Sequence, residues 1–456
     1  MQKATDFMTE TLSNRGGFLM LYSEESDEVW GEIPARPSMI WVQDPATVGM
    51  GQLFLQAYRA TKDKTYLEQA EKAADALLSG QHESGGWRYF IDFEPEGTAK
   101  WHEEIGSQCW GWEEFYYNCG NATFDDSVTT GVIRFLMDLT EIEPDPKYRE
   151  ALEKGLGFVL KSQYPDGGWP QRYPICSDDE DVPHPNYTAY RTFNDDVTIG
   201  NIELLLDAYG RYGDRLYRET ALRGMDFVAE AQLDPPQAGW ADQYTDDLEA
   251  AAARSYEPMA ISTGATIRAI DSLQTFYQIT GATKYLGGIP AAIDWMRNSP
   301  LPEDQREGRY THATFYEPAS NKPLYAHREG TSKETGRYWV DYSTENILRG
   351  YGYRLSLNVD AIEKEYLRVA ALSPLEASQE YRSQRDRVGS PQAPGEKKIR
   401  KLLDSMDERG AWVETISVPD SKDYMNTPNR EFRGIDTATF LRNMRMLLAY
   451  LESGAN

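Results

Sequence analysis

The chain is short of the residues that most metal and redox chemistries need. Only three of its 456 residues are cysteine and five are histidine. Cys109, Cys119 and Cys176 have no zinc-site spacing, and no pair of histidines falls one helical turn apart, which argues against a zinc enzyme. Cys109 and Cys119 are near enough in sequence to pair, but three cysteines build no disulfide framework. Positive charge is scarce too. The formal net charge is −26, which argues against nucleic acid and against an anionic membrane surface. No apolar run approaches the roughly 18 residues of a membrane span, and Met1-Gln2-Lys3-Ala4-Thr5-Asp6 has no apolar signal region.

What is abundant is aromatic: 29 tyrosines and 11 tryptophans in a chain with 40% hydrophobic residues, so a folded globule is expected. Such rings serve equally as core filler and as platforms for sugars. A Gly-Trp turn recurs at Ser84-Gly85-Gly86-Trp87, Asp166-Gly167-Gly168-Trp169 and Ala238-Gly239-Trp240, with weaker copies at Gly308-Arg309-Tyr310 and Arg409-Gly410-Ala411-Trp412. Between the turns, apolar residues step by three and four: Leu67, Ala70, Ala74 and Leu77; Val128, Val132, Phe135 and Leu139; Ile199, Ile202, Leu206 and Tyr209. Lys62-Asp63-Lys64, Pro144-Asp145-Pro146 and the segment from Gly210 to Asp214 break each run into two helices. Gln81, Gln163 and Gln232 close the second helix of each pair.

Repeated helical hairpins that each bury a face on their neighbours predict an all-α fold, an (α/α) toroid of five or six hairpins with the aromatic loops at one mouth. A linear solenoid is the alternative arrangement. No domain boundary is evident, so residues 1–456 read as one domain, with a long loop at about 372–398 where Ser, Gln, Pro and charge concentrate.

Acidic residues open several of the inner helices. Asp44, Asp125-Asp126 and Asn194-Asp195-Asp196 stand where carboxylates gain from the helix dipole, and capping alone accounts for such placement. Asp195 is distinguished by its companions on the same expected rim, Trp169, Gln171 and Tyr173. Arg254 and Glu257 in Ala253-Arg254-Ser255-Tyr256-Glu257-Pro258, and Arg328 in His327-Arg328-Glu329-Gly330, are loop residues able to grip a carboxylate, although a solvated loop arginine is commoner.

Taken in order, Gly-Gly-Trp-Pro-Gln-Arg-Tyr-Pro at 167–174, Thr-Phe-Asn-Asp at 192–195, Ala-Arg-Ser-Tyr-Glu-Pro at 253–258, Phe-Tyr-Glu at 315–317 and Asn321-Lys322-Pro323-Leu324 with His327-Arg328-Glu329-Gly330 resemble the pectate lyases of polysaccharide lyase family 10. The resemblance covers about 120–355. It implies a secreted or periplasmic enzyme, expected to be a monomer, that cleaves an acidic plant or algal polysaccharide by β-elimination. It places proton abstraction on Arg328 and a substrate-bridging calcium on Asp195. Arg254 becomes the carboxylate clamp, with Trp169, Gln171, Tyr173, Asn194, Glu257 and Tyr316 lining the substrate groove.

The chain departs from that family where a second calcium aspartate is expected. Thr245 stands there, leaving Asp246 just beyond as the nearest candidate ligand. The acidic residue expected near 262–266 is absent, and Thr314 replaces an arginine. Calcium prefers six to eight oxygens, so these changes weaken the cation site. Two further readings stay open. One is a glycoside hydrolase using Asp195 or Asp196 with Asp242, Asp246 or Glu257; the other is a carbohydrate-binding homologue without turnover.

Overall fold

The three- and four-residue spacings do form helices in the computed structural model, which describes residues 1–109, 115, 119–177, 186–331, 333, 337–348, 350–388, 394–419 and 430–454. The first hairpin is α1 (Thr47–Thr61) with α2 (Lys64–Leu78), the second α3 (Val128–Ile142) with α4 (Pro146–Ser162), and the third α5 (Val197–Tyr212) with α6 (Arg215–Glu230). Then come α7 (Thr263–Thr280), α8 (Ile289–Arg297), α9 (Val359–Ala370), α10 (Pro374–Val388), α11 (Glu396–Asp404) and α12 (Thr437–Glu452). The fold class is the expected one, all-α and built from the hairpins of (α/α) toroids.

Hairpin corners follow ordinary capping chemistry. Asp63 and Asp214 cap α2 and α6 by accepting from the backbone N–H of Thr65 and Leu216. The residues before them, Lys62 and Gly213, end α1 and α5 in the left-handed region. First helices are buried almost all round, as α1 is from Thr47 to Ala57, whereas second helices keep a polar outer face.

Two compact units divide the chain. One comprises Met1–Lys161, Thr331–Glu334 and Pro391–Asn456; the other comprises Ser162–Gly330 and Thr335–Ser390. The division falls at the end of α4, where composition does not change, so nothing in the sequence marks it. In the first unit α12 packs on α1 and α1 on α3, so the last helix lies against the first hairpin. A five-stranded antiparallel sheet joins the same two ends, in the order Val413–Val418, Arg430–Asp436, Leu21–Ser23, Val29–Trp30, Pro34–Ala35. It packs through Trp30, Ile416, Val418 and Phe432. In the second unit α6 packs on both α5 and α7, and α10 packs on α7.

The long loop expected at 372–398 is instead largely helical: α10 covers Pro374–Val388, and α11 begins at Glu396. Polar composition was misleading because this helix is stabilised from its surface. Ser373 and Glu376 form a reciprocal capping box, with Ser373 N–H donating to Glu376 Oε2 at 2.8 Å. Glu380 pairs with Arg368 at 2.7 Å and Arg385 with Asp207 at 2.9 Å. The part of that segment at 389–393 lies outside the described residues.

The recurring turn is an interlock between hairpins. Gly167 has φ +103° and a Cβ there would lie 2.2 Å from the Arg223 carbonyl oxygen on α6, so only glycine lets the backbones meet. Gly85 repeats this, with φ +107° and 2.3 Å to the Lys154 carbonyl on α4. The recurring glutamine has the same logic. Gln81 Nε2 donates to the carbonyls of Gly85 and Ala151, Gln163 to those of Gly167 and Thr220, and Gln232 to those of Ala238 and Gly288. Each amide ties its own turn to the following hairpin.

Register corrects two copies of the turn. The segment Arg15-Gly16-Gly17-Phe18 is a further one: Phe18 N–H donates to Thr47 Oγ1 as Trp87 N–H does to Thr129 Oγ1, both at 2.9 Å. In the fourth repeat the aromatic position falls to His312, not to Tyr310. Trp87, Trp240 and Trp412 each donate the indole N–H to a carbonyl of the preceding helix, of Leu77, Val228 and Leu402. His312 Nε2 makes the same bond to Met296 at 2.9 Å. Burial pushes the His312 pKa below its ordinary value, consistent with a neutral imidazole in an indole's place.

The cysteine pairing also differs from expectation. Cys109 is a free, buried thiol whose Sγ donates to the Ile105 carbonyl, so it does not pair with Cys119.

Candidate active site

The second unit gathers most of the polar residues singled out from the sequence. The strand Arg191–Thr192 hydrogen-bonds to the Trp169 carbonyl, which brings the next three residues to the start of α5. There the backbone kinks: Asp195 and Asp196 have φ of 51° and 58°, in the left-handed region that non-glycine residues enter at some cost. Phe193 and Asn194 N–H groups both donate to the Asp242 carbonyl, at 2.8 and 3.2 Å, which fixes this turn against the Trp240 turn.

Arg254 is the hub of the cluster. Its Nη1 donates to Asp195 Oδ2 at 3.2 Å and to Glu257 Oε1 at 3.1 Å, and its backbone N–H donates to Glu257 Oε2 at 3.2 Å. Asn194 Nδ2 bridges the same two carboxylates, at 2.9 Å to Asp195 and 3.3 Å to Glu257. The side chains of Arg254 and Glu257 are 6% and 9% exposed, and that of Asp195 is 24% exposed. A buried guanidinium between two carboxylates in low dielectric is stable only when its partners stay ionised and bonded. Asp195 keeps the access to solvent.

Arg328 lies on the strand Pro323–Glu329, the third of a four-stranded antiparallel sheet running Ile261–Ser262, Phe315–Tyr316, Pro323–Glu329, Arg337–Asp341. Its cross-strand partner is Tyr338. The Tyr338 ring packs 6.0 Å from that of Tyr256, in the loop between Arg254 and Glu257. Since directly paired side chains share a face, this register brings Arg328 beside the wall that carries Arg254.

Several expected contacts are placed elsewhere. Trp169 is 0% exposed and Tyr316 1%, so both are core rather than groove lining. Tyr316 accepts from Ala313 N–H and donates to the Ser299 carbonyl, and burial raises its pKa. Gln171 is also buried; Tyr173 is half-buried. Asp246 does not join Asp195. Its side chain is 91% exposed and pairs with Arg191, which Asp166 holds from the other side at 2.7 Å. Asp195 Oδ2 carries the Arg254 guanidinium. Among the described residues no group of three or more His, Cys, Asp or Glu converges as a metal cradle. The described donors do not by themselves make up the six to eight oxygens that calcium takes.

Two polar residues here were not picked out as a pair from sequence. Asp242 sits with its side chain 12% exposed, and Arg268, on α7, reaches Asn194 Oδ1 at 3.5 Å and Asp242 Oδ1 at 3.9 Å. Burial pushes the Asp242 carboxyl above its ordinary pKa, opposed by Arg268, by a bond with Ser262 and by Arg254. Helical spacing from the Ser262 cap, five residues past Thr263, is the signal that would have placed Arg268 here.

The profile of the pectic acid lyase family matches residues 98–359, more than half of the chain. The chain belongs to the pectic acid lyase family. Among solved structures, this pectic acid lyase family member is similar to a variant of the family 10 polysaccharide lyase from Cellvibrio cellulosa in complex with trigalacturonic acid. That match has 17% identity over 71% of this chain and 98% of the other, with a TM-score of 0.44. It is also similar to the GH76A α-1,6-mannanase from Salegentibacter sp. HEL1_6, with 12% identity over 98% and 97% of the two chains and a TM-score of 0.39. A curated relative, the terpene cyclase/mutase atnI of Arthrinium sp, is 27% identical over 115 residues, which are 24% of this chain. The chain spans 15% of that relative's length. No described helix is long and apolar enough to cross a membrane.

Proposed function

We propose that this protein is a polysaccharide lyase that cleaves a uronate-containing, pectate-like chain by β-elimination. The observation that carries the reading is the Asp195–Arg254–Glu257–Asn194 network beside the strand of Arg328, in a member of the pectic acid lyase family. The trigalacturonic acid bound to the Cellvibrio cellulosa lyase variant supports an acidic galacturonide as substrate.

The reaction removes the C5 proton, which the adjacent carboxylate acidifies, and expels the C4 oxygen to leave a C4–C5 double bond. Negative charge accumulates on the uronate carboxylate, and fixed positive groups stabilise it. Arginine supplies that charge here, which also answers the repulsion of an anionic chain by a protein of net charge −26. Arg328 takes the C5 proton. A guanidinium does so only as its neutral form, disfavoured by a pKa above about 12, so nearby cations and exclusion of water have to favour its deprotonation. Asp195, held by Arg254 and still reachable, orients a sugar hydroxyl or a substrate-borne cation.

The test is ultraviolet absorbance from the unsaturated uronide on a panel of uronans, with polygalacturonate first. Absorbance lost in Arg328→Ala is expected; no absorbance on any uronan, with or without calcium, sinks the reading. A hydrolase is the second reading, favoured by the contrast between buried Asp242, its pKa raised, and Asp195 beside a guanidinium. Environments that separate two carboxyls in this way suit an acid and a base. Reducing ends released without absorbance would select it.

A further inference from the structure

Three guanidinium groups surround the Asn194–Asp195 turn and the two aromatic turns beside it, and they differ in how firmly they are held. Arg254 is 6% exposed and bonded to two carboxylates. Arg191 is 8% exposed, sits between Asp166 and Asp246, and stacks 4.1 Å from the Tyr164 ring centroid. Arg268 is 42% exposed, and its contacts to Asn194 and Asp242 are long, 3.5 and 3.9 Å. Of these three, Arg268 is the one that is both reachable and weakly engaged. The other two could bind an arriving carboxylate only by giving up short bonds to buried or paired carboxylates.

Asp242 opposes Arg268 the way a ligand carboxylate would, from a protected position whose backbone carbonyl is fixed by Phe193 and Asn194. A uronate has the same group with free choice of approach, so it forms the short, bidentate pair that the 3.9 Å separation denies to Asp242. We propose that Arg268 binds a substrate uronate carboxylate in competition with Asp242, and thereby selects free acid over methyl ester. The proposal rests on the lyase reading for the identity of the ligand as a uronide, and for nothing else.

The test is equilibrium binding of trigalacturonate and its methyl ester to the full chain, with product absorbance read in parallel. Arg268→Ala is expected to weaken trigalacturonate binding by about 10- to 100-fold, the loss of one charge-assisted pair, and to leave the ester within about twofold. Arg268→Lys recovers part of the affinity. Asp242→Asn acts in the opposite direction and tightens acid binding, a sign that a merely structural role for the pair does not produce. Equal losses for acid and ester in Arg268→Ala, weaker acid binding in Asp242→Asn, or a wild type that does not prefer the acid would each overturn the proposal. Acid-selective binding through Arg268 without unsaturated product would leave it standing and defeat the lyase reading alone.

Discussion

Asp126 and Asp195 occupy the same place in successive repeats, and their backbones agree closely. Asp126 and Ser127 have φ of 46° and 60°; Asp195 and Asp196 have 51° and 58°. Each pair, with the residue before it, follows a phenylalanine and precedes a buried first helix, α3 or α5. Side-chain surroundings separate them. In the first unit the leading residue is Asp125, 2% exposed, which accepts a short bond from the Tyr89 hydroxyl. In the second it is Asn194, whose amide joins Asp195 to Glu257, with Arg254 completing the cluster. The strained turn thus belongs to the repeat, and the chemistry belongs to what is inserted beside it. The segment between Tyr244 and Ile261 supplies Arg254 and Glu257, so the proposed site is built beside a joint that recurs in the architecture.

The largest effect expected is from removing the hub. Arg254→Ala leaves Asp195 and Glu257 facing each other with little water, and stability should fall by about 3–5 kcal/mol, the range for breaking a buried ion pair. Tyr89→Phe, which removes the side-chain anchor of the other turn, should cost about 1–3 kcal/mol. Denaturant midpoints of the two variants compare the joints directly, and equal losses would mean that the second joint is not special.

Next comes a paired substitution. Asp195→Ala is expected to reduce turnover about 100-fold, the scale of a lost electrostatic contact, while Asp126→Ala stays within about twofold of wild type. Similar losses from both would move the site, or spread it over two repeats.

A pH titration tests Asp242. Its raised pKa means that the folded state holds the proton more tightly than the unfolded chain does. Its stabilising contribution is therefore complete at pH below the ordinary carboxylate value, and is lost as pH climbs through the raised one. Melting temperatures of Asp242→Asn should lack that alkaline-going decline; an unchanged profile would show that Asp242 is not its source.

Smaller still, Asp196→Gly and Ser127→Gly should each raise stability by up to about 1 kcal/mol, by relieving a left-handed residue. A gain at only one of them would break the backbone equivalence. Chelation should have the least effect. Because Asp195 pairs with a guanidinium and no metal cradle converges among the described residues, lyase activity is expected to survive exhaustive chelation, and its abolition would assign the positive charge to a cation instead.

Much of the helical scaffold was legible because burial imposes a period. Residues such as Val128, Val132, Phe135 and Leu139 are spaced by the helix that hides them. The α10 helix was not, since its stabilising groups are surface charges and a capping box, which look like loop composition. The turn at Phe18 escaped notice for want of a tryptophan, and Tyr310 drew attention from His312, whose bond to Met296 identifies the true position. Asp195, Asn194, Arg254 and Glu257 were readable as motif residues, and they do converge. Trp169 and Tyr316 were readable only as aromatics, and sequence does not say which side of a wall an aromatic faces. Arg268 carries no motif; only its helical spacing from the Ser262 cap hints at its place beside Asn194.

His312 makes its joint unlike those of Trp87, Trp240 and Trp412. Indole N–H groups are indifferent to acid, so the seams made by Trp87, Trp240 and Trp412 keep their grip in any mild solution. An imidazole in the same socket is neutral only while protons are scarce, and once the pH drops below the ordinary histidine value the unfolded chain takes up a proton that the buried ring resists. Acidification would weaken the seam beside α8, near the end of the sheet that carries Arg328.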